Sequence, residues 1–246
     1  MKSKLIRAGI FTAIIGALLL AHYIYLGSKP LVNNAARKGA GFSSALLANG
    51  ATAYQAANIA GDKTVVVLVG DMVLNSAVWE NTFNELTKTG MAVLRYDLFG
   101  SGYSARPRGA YDAEFFANQL ESLANKVLPG RNLILVGLGD GGAIAAAYAA
   151  KQAQRVKKLI LIDSVGIEHK APLRARLMAV PAIGRYFGRM FGGGVAKSVI
   201  ADSFSTTPAP AVLARLEAPA ATKGYADALR ASYRHWQRSN NRQPFL

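Results

Sequence analysis

No cysteine occurs among the 246 residues, so no disulfide staples the fold and the redox compartment leaves little trace in the composition. Histidine is almost as scarce, with only His22, His169 and His235. His22 lies in an apolar N-terminal segment, His169 follows the last strand expected from the sequence, and His235 sits in a helix beside Trp236. No cluster of His, Cys or Glu at ligand spacing suggests a metal. Acidic residues number 14 against 29 basic ones, and the chain holds no internal repeat. The glycine run Gly137-Leu138-Gly139-Asp140-Gly141-Gly142 lacks both the G-x-G-x-x-G register and a P-loop lysine, which excludes a nucleotide site of either kind. No cofactor is expected.

The deficit of acids is uneven. Residues 1–61 hold six Lys or Arg and no Asp or Glu, residues 62–150 seven against nine, and residues 151–246 sixteen against five, giving net charges of +6, −2 and +11. The middle of the chain is therefore nearly neutral and its two ends carry the positive field. Ala8 to Leu26 contains no charged side chain and follows Lys2, Lys4 and Arg7. At 1.5 Å per residue this run is about 28 Å long, close to the roughly 30 Å hydrocarbon core of a bilayer. One membrane span is expected over residues 1–30 in preference to a cleaved signal peptide, because AHYIYLGS offers no clear small-x-small cleavage site. The acid-free, Arg- and Ala-containing N-terminus matches the composition of a mitochondrial transit segment, so the mitochondrial inner membrane is the first expectation and the bacterial cytoplasmic membrane the alternative. With a span and no recognisable nucleic-acid module, the positive ends point to anionic lipid and protein rather than nucleic acid. Residues 31–41 read as a polar linker.

Beyond the linker, Leu133 to Val136 form an apolar run of strand character, and Gly141 to Ala150 form an Ala-rich helical stretch. Strand, glycine turn and helix follow in the order of a hydrolase nucleophile elbow, with Gly139 at the position of the nucleophile. Shifting the frame to make Asp140 the nucleophile would put Leu138 where the turn requires a small residue. Thr64 to Gly70 and Met91 to Asp97 are further strands, and Ala45 to Ala57 reads as a hairpin about Asn49-Gly50. Val156 to Asp163 is a strand after the elbow helix. Pro107 to Gly109 and Pro129-Gly130 mark turns, while Gly192 to Gly194 and Ser205 to Pro210 are expected to be flexible joints.

Together these segments resemble the α/β-hydrolase fold family, in particular its branch with a helical cap. Asp97, Gly100, Gly102 and Ser104 fall on the family's Asp-x-x-Gly-x-Gly-x-Ser loop, and Val69 stands where the family has the histidine of its oxyanion turn. The resemblance covers residues 42–166 as a core and residues 167–246 as a cap-like segment. It implies an α/β-hydrolase-like sheet with a helical cap, preceded by one transmembrane helix. It also implies that the acid and base of a triad would follow the cap, and the sequence stops at Leu246 about where the next strand would begin. Asp71 and Asp140 fall beside the two backbone amides that would form the oxyanion hole, where a carboxylate raises negative potential against an incoming anion. Ser101 and Ser104 are read as turn-shaping hydroxyls. The site is therefore expected to be degenerate at Gly139, Val69, Asp71 and Asp140, with no catalytic, metal or cofactor residue.

With the last strands of the sheet missing, Leu159 to Asp163 would form an apolar edge, a hazard unless something covers it. A partner subunit is expected to do so and to contact Tyr233 and Trp236 on the helix Tyr225 to Arg238. The cap segment Ala171 to Met190 interleaves Arg174, Arg176, Arg185 and Arg189 with apolar residues, equally suited to a membrane surface or to a helix pair broken at Pro181. The expected function is that of a non-catalytic, membrane-anchored subunit with a structural or assembly role in a membrane complex, respiratory in the mitochondrial case. The alternatives are a lipid or ester hydrolase completed by a second chain or silenced at Gly139, and a lipid-binding module.

Overall fold

A computed structural model describes residues 2–61, 64–164, 177–178, 180 and 183–236. His169, Pro181, Arg174, Arg176 and the terminal residues after 236 lie outside them, as do the side chains of His235 and Trp236.

Among the described residues six strands form one sheet: β1 (Ser43–Leu47), β2 (Gly50–Ala57), β3 (Val65–Val69), β4 (Ala92–Tyr96), β5 (Leu133–Leu138) and β6 (Val156–Ile162), in the order β1-β2-β4-β3-β5-β6. The β1–β2 and β2–β4 pairs are antiparallel, while β4, β3, β5 and β6 run parallel. Helices α3 (Glu80–Lys88), α4 (Ala113–Val127) and α5 (Asp140–Lys151) connect the parallel strands. Every residue of β3 and of β4 is buried, which explains why β3 reads as a continuous apolar run and β4 as one broken only by Arg95, rather than as alternating strands: helices cover both faces of a parallel sheet. Val66, Leu68, Val93 and Trp79 pack toward Phe83 and Leu86 of α3 on one side, and a larger cluster packs on the other.

The hairpin is present, but its turn differs from the expectation. Leu47 pairs with Gly50, so Ala48 and Asn49 make the loop and Gly50 opens β2. Glycine is needed there because a Cβ would lie 2.7 Å from the Cβ of Ala105. The linker expected over residues 31–41 contains a helix, α2 (Asn34–Gly39), whose first turn is capped by the Asn33 side chain accepting from the Ala36 amide. After the sheet the described residues include the α-helices α6 (Gly184–Asp202), α7 (Pro210–Glu217) and α8 (Tyr225–Trp236).

The joint expected at Gly192 to Gly194 is a further correction, since all three residues lie inside α6. A Cβ at Gly188 or Gly192 would already stand 3.5 or 3.4 Å from Ala226 of α8, so the two helices approach along this face. The loop of residues 205–209 is as expected, and Pro210 starts α7 at the position where its missing N–H costs nothing.

Helix α1 (Lys2–Gly27) carries the apolar stretch Gly9–Gly27, with a mean hydropathy of 1.9. It is long and apolar enough to cross a membrane. Its C-terminal end is docked: His22 Nδ1 lies 3.0 Å from the Tyr186 hydroxyl, and the Arg189 guanidinium sits 4.2 Å above the Tyr23 ring, both partners belonging to α6.

Candidate functional site

Strand β5 ends in a turn at Gly139, whose φ of 57° and ψ of −123° place it in the left-handed region before α5 begins. Such a turn lifts whatever side chain it carries above the sheet. Its surroundings are compact. A Cβ on Gly137 or Gly141 would overlap backbone of the turn or of Val69, and one on Gly142 would overlap Ser164. The elbow is thus built as sequence predicts, with glycines admitting strand and helix to close range.

A Cβ on Gly139 would lie 3.0 Å from Asp71 Oδ2. The Asp71 carboxylate therefore stands over the elbow, in the space toward which a nucleophile would project. Its Oδ1 accepts hydrogen bonds from the Val73 amide at 2.7 Å and from the Leu74 amide, and the Asp71 amide itself donates to the Leu74 carbonyl at 3.3 Å. Asp140, the first residue of α5, accepts from the Met72 amide. Amides at 71 to 74, the stretch from which an oxyanion hole would draw a donor, are thus all engaged by groups of this chain. The two aspartates expected beside the hole also accept the Met72, Val73 and Leu74 amides.

Burial, and then the Asp71 charge beside it, pushes the Asp140 carboxyl up to about 8, with the Met72 bond opposing the rise. Helix α8 closes over the pair. Tyr225 is fully buried and its hydroxyl pKa is raised, first by burial and then by Asp71. Tyr233 is raised by burial and then by Asp140 and Asp71. Tyr233, expected to face a partner, thus packs against the core beside the elbow, because the apolar side of α8 is turned inward. Val69 lies at the end of β3, fully buried, and presents only aliphatic surface.

The glycine loop after β4 is a scaffold around Asp97. Its carboxylate accepts from the Ser76 amide at 3.0 Å, the Ser76 hydroxyl at 2.6 Å and the Tyr103 amide at 2.7 Å. Gly102, at φ +45°, is required because any Cβ there would overlap that carboxylate. The Ser104 hydroxyl donates to the Asp97 carbonyl at 2.6 Å and accepts from the Ala53 amide at 2.9 Å, the turn-shaping role expected of it. The Ser101 hydroxyl is buried and makes no hydrogen bond among the described residues, so its part in the turn is played by its backbone.

Sequence reasoning gave no hint of the ion-pair cluster beside this loop. Arg95, 1% exposed, donates to Glu80 at 2.5 Å, and Glu80 also pairs with Arg215 of α7 at 2.8 Å. The Asn75 side chain donates to the Arg215 and Leu216 carbonyls, so the cap is bonded to the turn after β3. These partners lie 15 to 141 residues apart in the chain, beyond the reach of any local pattern. Among the described residues no group of three or more acidic or histidine side chains could hold a metal ion.

A family model described as the alpha/beta hydrolase fold matches residues 64–226. Among curated proteins, 1-acylglycerol-3-phosphate O-acyltransferase ABHD5 of Homo sapiens is 35% identical over 130 residues, covering 52% of this chain and 37% of that protein. An uncharacterized protein of Mycobacterium tuberculosis is 30% identical over 127 residues, again 52% of this chain and 37% of the other. The matched region thus spans little more than a third of the length of these curated relatives. Among solved structures, haloalkane dehalogenase DbeA from Bradyrhizobium elkani superposes with a TM-score of 0.66 at 20% identity, over 79% of this chain and 68% of that one. A thermophilic esterase from Thermogutta terrifontis gives a TM-score of 0.64 at 22% identity, over 83% and 75% of the two chains. Elbow, sheet order and profile agree, and the chain belongs to the alpha/beta hydrolase fold family.

Proposed function

We propose that this protein is a non-catalytic, membrane-anchored member of its family that acts as a structural or assembly subunit in a membrane complex. The observation that carries the reading is the elbow itself. Gly139 offers nothing to attack with, the Asp71 carboxylate occupies the space above it, and the neighbouring amides are bonded within the chain. Acyl transfer requires free donors aimed at a developing oxyanion, and the Asp71 carboxylate beside the elbow opposes it.

Two features support attachment and assembly. The apolar stretch Gly9–Gly27 supports a single-pass anchor. The edge strand β6 leaves Leu159, Ile160, Leu161 and Ile162 between 38% and 45% exposed, an apolar edge of the sort that soluble proteins cover. This supports a covering partner at β6, while the inward-facing Tyr233 does not extend that surface. The matched relatives come from mycobacteria, a cyanobacterium and mammals, a spread that lends no support to a mitochondrial or respiratory setting, and the proposal is confined to a membrane.

Gentle detergent extraction followed by native gel migration tests it. The protein is expected to migrate with partners, well above its own 26.1 kDa. A free monomer that hydrolyses short acyl esters would overturn the reading.

A further inference from the structure

Where the chain leaves α1, a cavity of about 400 Å³ opens between Leu31, Val32, Arg37, Arg106 and Lys223. The backbone amide of Lys223 donates to the Pro30 carbonyl at 2.8 Å, fixing the cavity beside the segment that follows the apolar helix. Arg37 is 6% exposed. Its Nε donates to the Tyr103 carbonyl at 2.8 Å and its Nη1 to Asn34 Oδ1 at 2.9 Å, both neutral acceptors. Arg106 is likewise held by neutral groups: the Gly102 and Ser104 carbonyls and the Thr222 hydroxyl. Its Nε is buried and without a partner among the described residues.

Neither arginine forms an ion pair among the described residues. Asp97, the nearest acidic influence on Arg106, already accepts from Ser76 and Tyr103. The two guanidiniums are close enough to repel one another, and burial, with a smaller push from Arg37, lowers Arg106 to about 10 against the opposing pull of Asp97, Tyr111 and Tyr225. Buried cations bonded only to neutral groups are costly, and a bound anion offsets that cost. Planar guanidiniums match the oxygens of a phosphate, the exposed Lys223 adds a mobile third charge at the mouth, and Leu31, 68% exposed, adds an apolar wall.

We propose that this cavity binds a phosphate group, presented by an anionic phospholipid headgroup at the membrane surface or by a soluble phosphate. The phosphate chemistry stands on Arg37, Arg106 and Lys223 alone; the lipid source rests on the reading of α1 as a membrane anchor. Full-length protein in mild non-ionic detergent is titrated with inorganic phosphate, phosphatidic acid and phosphatidylcholine, with thermal unfolding and native mass spectrometry as readouts. Phosphatidic acid or inorganic phosphate is expected to raise the midpoint and give a retained adduct, and phosphatidylcholine is not. Protection by phosphatidic acid well beyond that by inorganic phosphate assigns the lipid source, and equal protection assigns the soluble one.

Lys223→Gln, at an exposed position, is expected to fold normally and to weaken binding roughly 3-fold. Arg37→Gln, which removes a buried charge-assisted donor, is expected to weaken it at least about 10-fold. No response to either phosphate ligand overturns the proposal, as does equal binding by the wild type and a folded Lys223→Gln/Arg37→Gln variant. Release of the protein from membranes by alkaline carbonate would sink the anchor reading alone, leaving the phosphate titration to decide the site.

Discussion

Replacing Gly139 by serine returns a hydroxyl to the one position from which this elbow can present a nucleophile. The structure sets the cost. A residue with a Cβ at φ +57° and ψ −123° gives up about 1–3 kcal/mol to backbone strain. Its Cβ would stand 3.0 Å from Asp71 Oδ2, a few tenths of an ångström too close, so the carboxylate must yield slightly. Against this, the new hydroxyl can donate to that carboxylate, and a charge-assisted bond recovers about 1.5–3 kcal/mol. The terms nearly cancel, so the midpoint of thermal unfolding should move by no more than roughly 2–4 °C. Gly139→Ala bears the strain without the bond and should be the less stable variant. Catalysis is a separate matter. Loss of a single oxyanion donor costs about 10²–10³ in rate, and here the amides of residues 71 to 74 are already bonded. We expect p-nitrophenyl butyrate hydrolysis by Gly139→Ser to equal that of the wild type and a fluorophosphonate probe to leave position 139 unlabelled. Turnover rising tenfold or more, with label at position 139, would refute the argument, since it would require free donors and a working base.

Three further outcomes follow from the same structure. Because burial and the Asp71 charge hold the Asp140 carboxyl up near 8, the folded chain keeps a proton that the unfolded chain releases near the ordinary carboxylate range. Stability should therefore be full below about pH 4, decline as pH rises toward 8 by an amount on the order of a few kcal/mol, and flatten beyond; urea midpoints of wild type and Asp140→Asn across this window should diverge, with the variant nearly level. Gly193 and Gly194 sit in α6 with open space where a Cβ would go, so Gly193→Ala and Gly194→Ala should each stabilise by about 0.5–1 kcal/mol, and calorimetry showing no gain or a loss would argue against a continuous helix. Arg95→Met breaks a buried ion pair with Glu80 and should lower the free energy of unfolding by about 3–5 kcal/mol, measured as a drop in the urea midpoint.

Much of the architecture was legible because it is written in short-range patterns. The uninterrupted apolar run at 65–69 and the run at 92–96, broken only by Arg95, follow from burial on both faces of a parallel sheet, and the glycines around 139 mark a turn with little space for Cβ atoms. The degenerate positions Gly139, Val69, Asp71 and Asp140 could be named from the same register. Local rules misread other glycines. Gly192 was expected to loosen the chain, whereas it lies inside α6 and faces Ala226 on α8, a contact 34 residues away that leaves no trace in the neighbouring residues. Asn33 likewise looked like one polar residue in a linker, and its capping role becomes visible only when α2 is seen to carry the buried Arg37.

By itself the sequence determined the family scaffold, the apolar N-terminal helix and the glycine at the elbow position, since each depends on residue identity and spacing within a few dozen positions. Only the tertiary structure decided how the empty place is filled. Asp71 reaches over Gly139, its neighbours consume the amides, and Tyr225 and Tyr233 close the space from a helix more than 80 residues downstream. The same holds for Arg37 and Arg106, which are 69 positions apart in the chain and share one cavity. Strand and helix follow from local chemistry, but whether a buried charge meets a counter-charge depends on which distant segments folding brings together.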